Sequence, residues 1–304
     1  VSTETGLHLA CNVVRPHDTD RVEAVVDQLE RVALPVPDEQ TPLPRPYHRH
    51  DVPDHEGWTD MVRWALDAID GDALDKVVLA RRVALALGES MDPLLVLSHL
   101  EPATPACYHF ALRPADGPAF VGASPERLFR REGRTVVSEA VAGTRPRGET
   151  EAEDKALRNE LLESPKERRE HAFVEKAIRS DLEQVCTSVQ SPNGTGELAL
   201  ARGRHLHSRL TGTLRPETTP TDLLKVLHPT PAVGGVPTEN AVAAIRAQEP
   251  FDRGWYAGPV GWIGREAAEF AVGIRAGLVE ESQIALFSGA GIVDGSTPDR
   301  EWEE

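Results

Sequence analysis

Apolar residues recur at helical spacing in three stretches of the 304-residue chain. The first covers residues 19–33, the second covers 58–69, and the third covers 174–185. Spacings of three and four residues bring such positions onto one face of a helix, so each stretch predicts an amphipathic helix. Gly71 follows the second stretch and favours a helix end there, because glycine readily adopts the left-handed conformation of a C-terminal cap.

A proline-rich segment lies between the first two predicted helices. Six prolines fall between residues 34 and 57, and proline lacks the N–H donor that helices and sheets use, so the segment is predicted to be a surface loop. His48, His50 and His55 lie in it beside Asp51 and Asp54. Their spacing matches no metal motif, and a solvated loop is the preferred interpretation. We treat residues 1–57 as an N-terminal strand/helix and linker of the same fold as 58–304.

Short β-prone runs occupy the region after the second helix. They cover residues 76–80, 107–112, 119–123 and 135–142, with no helical pattern recognised between them. Strands joined this closely can pair only antiparallel, because a parallel crossover needs a dozen or more residues.

The last third of the chain repeats this strand-rich pattern. Strands are predicted over 259–263 and 268–278, on either side of the turn Gly264-Arg265, and over 284–287. Alternation along 268–278 places Arg275 on the face opposite the apolar row, among small residues. Two strand-rich blocks around a helical block predict an α+β fold with large antiparallel sheets, since a doubly wound sheet would need alternating strands and helices.

The helical block, about residues 149–189, is predicted to direct the carboxylate of Glu170 toward the interior. Ser164-Pro-Lys-Glu167 fits a capping box, with Ser164 as N-cap and proline at the first helical position. Counting back from Val174 in steps of three and four places Glu170 and Glu167 on or beside the apolar stripe. An inward carboxylate is unusual enough to need a chemical reason.

Composition narrows the function classes. Lys plus Arg total 33 and Asp plus Glu total 49, which gives a net charge of −16, so binding to nucleic acid is not expected. No apolar run reaches the roughly 20 residues of a membrane helix, and no signal peptide is predicted. Three scattered cysteines (Cys11, Cys107, Cys186) indicate neither disulfides nor zinc. We expect a cytoplasmic protein.

Two pairs of glutamates occur in the same sequence context, at the start of a predicted helix. Glu167 and Glu170 follow Ser164-Pro165, and Glu301 and Glu304 follow Thr297-Pro298, each pair three residues apart on a predicted helix. The helix N-terminal dipole alone could account for either pair. Their double occurrence favours two helices that offer carboxylates to one hard cation such as Mg²⁺.

Glycines and an arginine supply a candidate anion site. Gly289-Ala-Gly291 lacks the third glycine and the βαβ context of a dinucleotide fingerprint, but its backbone amides can approach an anion closely. Arg275 could bind a carboxylate with both guanidinium arms, or could form a structural salt bridge. From the residues alone, the chain is predicted to be an anion-binding metalloenzyme, and nothing more specific follows.

Eight ordered motifs extend this interpretation. They are Lys76–Arg81, Gly122–Arg127, Glu139–Gly148, Ser164–His171, Leu227–Gly235, Trp255–Gly261, Glu269–Arg275 and Ser288–Val293. In order and spacing, they resemble the chorismate-utilising enzymes, and within them the isochorismate synthases, from about residue 58 to residue 304. The resemblance implies two αβ subdomains whose antiparallel sheets stack as a sandwich, with helices outside and the active site in a cleft.

The resemblance also implies a reaction, in which water attacks C2 of chorismate and the C4 hydroxyl leaves to give isochorismate. By motif, Lys76 matches the general base and Glu126 the general acid. A lysine acting as a base must be desolvated or lie near other cations, and a glutamate acting as an acid must be buried. Salicylate synthases, which go on to release pyruvate, are the closest alternative. Ammonia-using anthranilate and aminodeoxychorismate synthases are disfavoured by Lys76, and an inactive scaffold is disfavoured by the filled site positions.

The motifs also match the family's metal-binding and substrate-binding positions. Four match metal ligands for Mg²⁺, with Glu170 and Glu304 as the principal ones and Glu167 and Glu301 assisting. Six match substrate-binding positions: Tyr256, Arg275, Gly289, Gly291, His205 and Thr144. We expect a monomer that acts on chorismate without a glutaminase subunit. The family's next lysine would lie one turn beyond Glu304, and we expect the natural helix to continue there.

Overall fold

The computed structural model describes residues 2–3, 6–7, 41–114, 117–201 and 203–303. Contacts divide the chain into two units, Val1–Asp38 and Glu39–Glu304. In the first unit, β1 (Ser2–Thr3) pairs antiparallel with β2 (Gly6–Leu7). The helix predicted over 19–33 and Cys11 lie outside the described residues.

Fourteen strands in the described part of the second unit form two antiparallel sheets of seven strands each. The sheet that we call the β4 sheet has the order β12-β4-β16-β15-β6-β5, with β3 also paired to β4. Its strands are β3 (Pro46–Val52), β4 (Lys76–Leu87), β5 (Tyr108–Leu112), β6 (Ala119–Ser124), β12 (Gly235–Val236), β15 (Ala276–Glu280) and β16 (Gln283–Ile292).

The other sheet, which we call the β8 sheet, has the order β10-β11-β8-β7-β14-β13, with β9 also paired to β11. Its strands are β7 (Arg127–Glu132), β8 (Thr135–Pro146), β9 (Cys186–Gln190), β10 (Gly196–Ala199), β11 (Gly203–Leu214), β13 (Pro259–Ile263) and β14 (Ala267–Val272). The hairpin predicted around Gly264-Arg265 is the β13–β14 pair.

Seven helices cover the sheets over the residues described in the second unit. They are α1 (His55–Asp70), α2 (Pro93–Ala103), α3 (Glu151–Glu163), α4 (Pro165–Val185), α5 (Pro220–Leu227), α6 (Thr238–Gln248) and α7 (Pro298–Glu303). The predicted helix over 58–69 is α1, which ends at Gly71 as expected. None of the described helices has the length and apolar character needed to cross a membrane.

Helix α4 packs on β8 and β11 through the apolar stripe that its sequence predicts. Val174, Ile178 and Leu182 are each 1% exposed or less. Ser164 caps the helix by accepting a hydrogen bond from the Glu167 amide at 3.4 Å. The predicted capping box is only half formed, since the Ser164 amide donates to the Glu160 carbonyl and the Glu167 carboxylate turns inward.

The two sheets share one hydrophobic core. The largest buried cluster contains Ala80 and Phe287 from the β4 sheet together with Phe129 and Leu210 from the β8 sheet. Smaller clusters join α1 and α6 to the N-terminal half of β4, and α2 to the opposite end of the same sheet. The predicted α+β architecture, with two large antiparallel sheets, is confirmed.

Two of the places where the chain passes between the sheets are neighbours. Strand β6 belongs to the β4 sheet and β7 to the β8 sheet, so the first crossing contains Pro125-Glu126. Strand β14 leads into β15 through Gly273–Arg275, in the reverse direction. The crossings bond to each other: the Val272 amide donates to the Glu126 carbonyl at 3.0 Å, and the Ala123 amide donates to the Arg275 carbonyl at 3.2 Å.

The proline-rich segment departs from its predicted loop. Residues 46–52 form β3, and α1 begins at His55. Strand β3 starts with Pro46 and pairs with β4, and a proline at the start of such an outer strand removes no essential hydrogen bond. His48, His50 and His55 are exposed, and among the described residues they form no metal cluster.

Three other predictions about elements were wrong. Helix α2 lies between the strands over 76–87 and 108–112, where the sequence had indicated no helix. The helical block ends at Val185, because the chain is already strand from Cys186 rather than helical to about residue 189, whereas its division at Ser164 agrees with the predicted N-cap. The strand predicted over 268–278 ends at Val272, because the chain crosses between sheets there and Arg275 takes a left-handed φ of 50°.

Candidate active site

A cavity of about 240 Å³ lies where the two crossings approach β16 and the first turns of α4 and α7. The predicted site residues that line it are Glu126, Thr144, Glu170, His205, Tyr256, Arg275, Gly289, Gly291 and Glu301. Lys76 contacts Glu170 of the cavity lining. Glu167 lies behind Gly143 and Thr144 as seen from the cavity. Glu304 lies outside the described residues.

Glu126 is held at the first crossing by its own backbone. Its amide donates a hydrogen bond to the Ser124 hydroxyl at 3.2 Å, and its carbonyl accepts from Val272. The side chain is buried, and within the described part of the chain its Oε1 has no hydrogen-bond partner. Burial raises the pKa of the carboxyl from 4.5 to about 8, although nearby Lys76 acts in the opposite direction. Glu126 therefore carries a proton at neutral pH, as a general acid requires.

Lys76 begins β4 and is fully buried. Its Nζ donates to Glu170 Oε1 at 2.9 Å, so an ion pair joins the β4 sheet to helix α4. The expected desolvation of Lys76 is present, but this ion partner is an anion rather than a cation.

The three described candidate metal ligands all form ion pairs. Besides Glu170 with Lys76, Glu167 pairs with Arg145 at 2.7 Å, and Glu301 pairs with Lys166 at 2.8 Å. Glu167 and Glu301 are 3% exposed. Over the ranges that the structure describes, no three carboxylates, histidines or cysteines converge as a ready metal cluster.

Arg275 places a cation at the cavity, and the neighbouring His205 holds it in position. Arg275 Nη2 lies 2.8 Å from His205 Nε2, and because a guanidinium can only donate, Nε2 accepts and the imidazole proton lies on Nδ1. His205 Nδ1 is 3.1 Å from Thr144 Oγ1. Burial, followed by the Arg275 charge, lowers the pKa of His205 to about 4, so the histidine stays neutral and keeps its acceptor.

Strand β16 supplies the floor of the cavity next to Tyr256. The Gly289-Ala-Gly291 run lies within this strand, whereas the sequence had indicated a position after it. A Cβ on Gly289 would be 2.8 Å from the Tyr256 hydroxyl, and one on Gly291 would collide with Glu170 Oε1. Side chains at these positions would fill the space, so glycine here leaves backbone amides open to an anion.

Three cavity-side residues escaped the sequence analysis: Thr230, Glu249 and Arg253. The Thr230 side chain lowers the pKa of the Glu126 carboxyl, and Arg253 lines the cavity beside Tyr256. Glu249 forms an ion pair with Arg253 and is 2% exposed at its side chain. An Arg and a Glu four residues apart are common on solvated helix faces, so the sequence carried no signal that this pair is buried.

The family comparison covers the whole chain. The model of the family described as "Chorismate binding enzyme" matches residues 1–304. Among curated proteins, the chain is 42% identical to the chloroplastic isochorismate synthase of Catharanthus roseus, over 84% of this chain and 44% of that protein. It is 41% identical to the isochorismate synthase MenF of Bacillus subtilis, over 83% of this chain and 53% of that protein.

A solved structure shows the same fold. The menaquinone-specific isochorismate synthase MenF of Escherichia coli matches with a TM-score of 0.85 and 31% identity, over 94% of this chain and 66% of that chain. The present chain spans about half the length of the first curated relatives it matches.

Proposed function

Because this chain belongs to the family of chorismate-binding enzymes, we propose that it isomerises chorismate to isochorismate. Relatives named as isochorismate synthases, at 41% and 42% identity over more than four fifths of the chain, support this choice within the family. The reaction exchanges one hydroxyl for another without net oxidation, which agrees with a cavity lined by acid–base and anion-binding groups.

The observation that carries the proposal is a buried carboxyl group in the cavity lining together with a buried amine that contacts Glu170 of the same lining. The raised pKa of Glu126, about 8, keeps a proton available for a leaving hydroxyl. Its Oε1, unpartnered among the described residues, can receive a substrate oxygen. Lys76 is buried on a strand of the same sheet as β6 and close enough for its charge to act on Glu126.

In the proposed reaction, Lys76 as the free amine takes a proton from a water whose oxygen bonds to C2 of the ring. The double bonds shift, the C4–O bond breaks, and the proton of Glu126 passes to the departing hydroxyl, which leaves as water. One water enters and one leaves, so the substrate is isomerised. Lys76 then holds one extra proton and Glu126 lacks one, and exchange with solvent restores both.

Arg275 and Tyr256 are proposed to hold a substrate carboxylate. The two residues line one cavity with the open amides of Gly289 and Gly291. His205, by accepting from Arg275, fixes the guanidinium in one orientation. A guanidinium held in this way binds the substrate carboxylate in one orientation. Such orientation can lower the reaction barrier by several kcal/mol.

Mg²⁺ is the proposed cofactor. The carboxylates of Glu170 and Glu301 both line the cavity, and hard oxygen anions are the ligands that Mg²⁺ prefers, so the donor set fits. Glu170 and Glu304 would be the principal ligands, and Glu167 and Glu301 would assist. When bound, the ion would supply positive charge for a substrate carboxylate. Lys76 and Lys166, which now pair with these glutamates, would have to share or release them.

The test is product analysis by chromatography after incubation of the protein with chorismate and Mg²⁺. We expect isochorismate with no pyruvate. Stoichiometric pyruvate would indicate a salicylate synthase instead, and no turnover would refute the proposal. EDTA should abolish turnover and Mg²⁺ should restore it, and full activity in EDTA would exclude the cofactor.

Matched variants separate chemistry from folding. Lys76→Ala and Glu126→Gln should each lower kcat by at least about a hundredfold, on the scale typical of acid–base groups. Lys155→Ala and Glu132→Gln change exposed residues of the same types and should leave kcat unchanged. Near-normal rates in Lys76→Ala or Glu126→Gln would overturn the proposed roles.

A further inference from the structure

One buried guanidinium contacts three segments that carry the proposed chemistry. Arg253 Nη2 donates to the Val78 carbonyl at 2.7 Å, two residues after Lys76 on β4. Arg253 Nη1 donates to the Val233 carbonyl at 2.9 Å, in the loop that follows α5. The guanidinium carbon also lies 5.8 Å from the ring centroid of Tyr256, within reach of a cation–π contact.

Glu249 fixes the orientation of that guanidinium. Its Oε2 accepts from Arg253 Nε at 2.8 Å, and its Oε1 accepts from Nη2 at 2.5 Å and from the Ala80 amide at 2.8 Å. A bidentate pair of this kind constrains the plane of the guanidinium as well as its position. Together the two side chains bind the β4 backbone at Val78 and Ala80, just after Lys76.

The loop held by Arg253 has internal hydrogen bonds and reaches the proposed acid. The Gly234 amide donates to the Thr230 carbonyl at 2.8 Å, and the Ala232 amide donates to the Thr230 hydroxyl at 3.3 Å. That hydroxyl accepts from Ala232 and has one proton to donate, and the Thr230 side chain favours the charged form of Glu126 by lowering its pKa. Thr230 is 2% exposed, so solvent does not weaken this interaction.

We propose that Arg253 and Glu249 are positioning residues that set the placement of Glu126 relative to Lys76. The contacts run from Val78 through Arg253 and Val233 to Thr230, and from there to the acid. This inference rests on the proposed function for its meaning in catalysis, but the tether itself is a claim about the fold. A displacement of about 1 Å between reacting groups can cost about a hundredfold in rate.

The tether is tested with variants that preserve charge balance. Arg253→Met alone would leave the buried Glu249 carboxylate unpaired, which is strongly destabilising. The double variant Glu249→Gln/Arg253→Met removes both charges and leaves a side-chain oxygen for the Ala80 amide. Arg253→Lys retains a cation that can reach fewer carbonyls, and Arg246→Met, an exposed arginine on α6, is the control.

For the double variant, we expect kcat to fall about a hundredfold while KM changes by less than about threefold. The alkaline limb of the kcat profile should move to higher pH, because loss of the Thr230 interaction destabilises the Glu126 carboxylate. Arg253→Lys should be intermediate and Arg246→Met unchanged. A purely structural role would lower Tm without moving the pH limb.

Hydrogen exchange gives a readout that does not need turnover. The Val78 amide donates to the Gly234 carbonyl at 2.8 Å, so peptides covering residues 76–82 and 230–236 should exchange faster in the double variant and at the wild-type rate in Arg246→Met. Unchanged exchange, or wild-type kcat with an unmoved pH limb, would overturn the inference. If the wild-type protein fails to isomerise chorismate, the proposed function is wrong, and exchange alone then decides whether the tether exists.

Discussion

Replacing Glu126 by glutamine should change the pH dependence of stability in a predictable direction. The pKa of this buried carboxyl rises from 4.5 to about 8 in the folded protein, chiefly because burial disfavours the charged form. Between those two values, the folded chain keeps a proton that the unfolded chain releases. Folding stability contributed by this group is therefore complete below pH 4.5 and is lost as pH rises toward 8.

The size of the effect follows from the same interval. At about 1.36 kcal/mol per pH unit, the interval from 4.5 to about 8 corresponds to about 5 kcal/mol of stability. Between about pH 5.5 and 7.5, the wild-type free energy of unfolding should fall by about 2–3 kcal/mol relative to Glu126→Gln. Glutamine has nearly the same shape and does not ionise, so the variant removes the proton and little else.

The assay is urea unfolding at about pH 5.5, 6.5 and 7.5, followed by tryptophan fluorescence and by circular dichroism. Coincident transitions would justify a two-state free energy. Other groups also titrate in this range, including Asp181, whose pKa burial raises to about 6. They are common to both proteins, so the difference between wild type and Glu126→Gln isolates Glu126. For the exposed control Glu132→Gln, the difference from wild type should stay constant.

A stability difference between wild type and Glu126→Gln that does not vary with pH would refute the reasoning. It would mean that Glu126 is ionised in the folded protein at neutral pH. The proposed general acid would then have no proton to donate, even though its position in the cavity would be unchanged.

Three further outcomes are expected. Gly291→Ala places a methyl group against Glu170 Oε1 and should lower kcat by at least about tenfold in initial-rate measurements, and a wild-type rate would count against the close approach of these two groups. Ile178→Ala should lower the free energy of unfolding by about 2–5 kcal/mol in urea titrations, because the side chain is 1% exposed in the core, and a loss below about 1 kcal/mol would contradict that packing. His205→Phe removes the acceptor for Arg275 and should raise KM for chorismate at least about tenfold, whereas His205→Gln should retain much of the binding, and equal KM values for both variants would remove the role of the acceptor.

The spacing of apolar residues was enough to predict side-chain orientation where that orientation is set by the residue's own helix. The apolar stripe of α4 predicted that Glu170 faces inward, with Glu167 on or beside the same stripe, and both carboxylates lie on the site side of that helix. The same applies to α1, whose apolar face and Gly71 end follow from spacing alone. Such patterns are readable because the helix repeat fixes which residues share a face.

Elements that depend on distant partners were missed. Strand β3 forms because the C-terminal half of β4 offers it a pairing edge, and no property of its proline-rich sequence announces that partner. Helix α2 contains Pro102 and lacks a distinct polar face, although Asp92 and Pro93 at its start are a capping signal that could have revealed it. Arg275 reaches the cavity from a left-handed turn rather than by strand alternation.

The site residues could be predicted only from the family motifs, and the residues that position them could not be predicted at all. Lys76, Glu126 and Arg275 come from separate parts of the sequence and meet only after both sheets have formed. The Arg253–Glu249 pair resembles an ordinary surface pair in sequence, and burial is a property of the completed fold.

The two neighbouring crossings have a mechanical consequence for ligand binding. Glu126 and Arg275 lie at the places where the backbone itself ties one layer to the other, so sliding of the layers would displace these two residues least. Lys76 and Glu170 belong to opposite layers, so the same sliding motion would change the distance between them. A ligand that contacts all four residues would hold the two layers in one relative position. Its binding should therefore reduce the internal motion of both layers together.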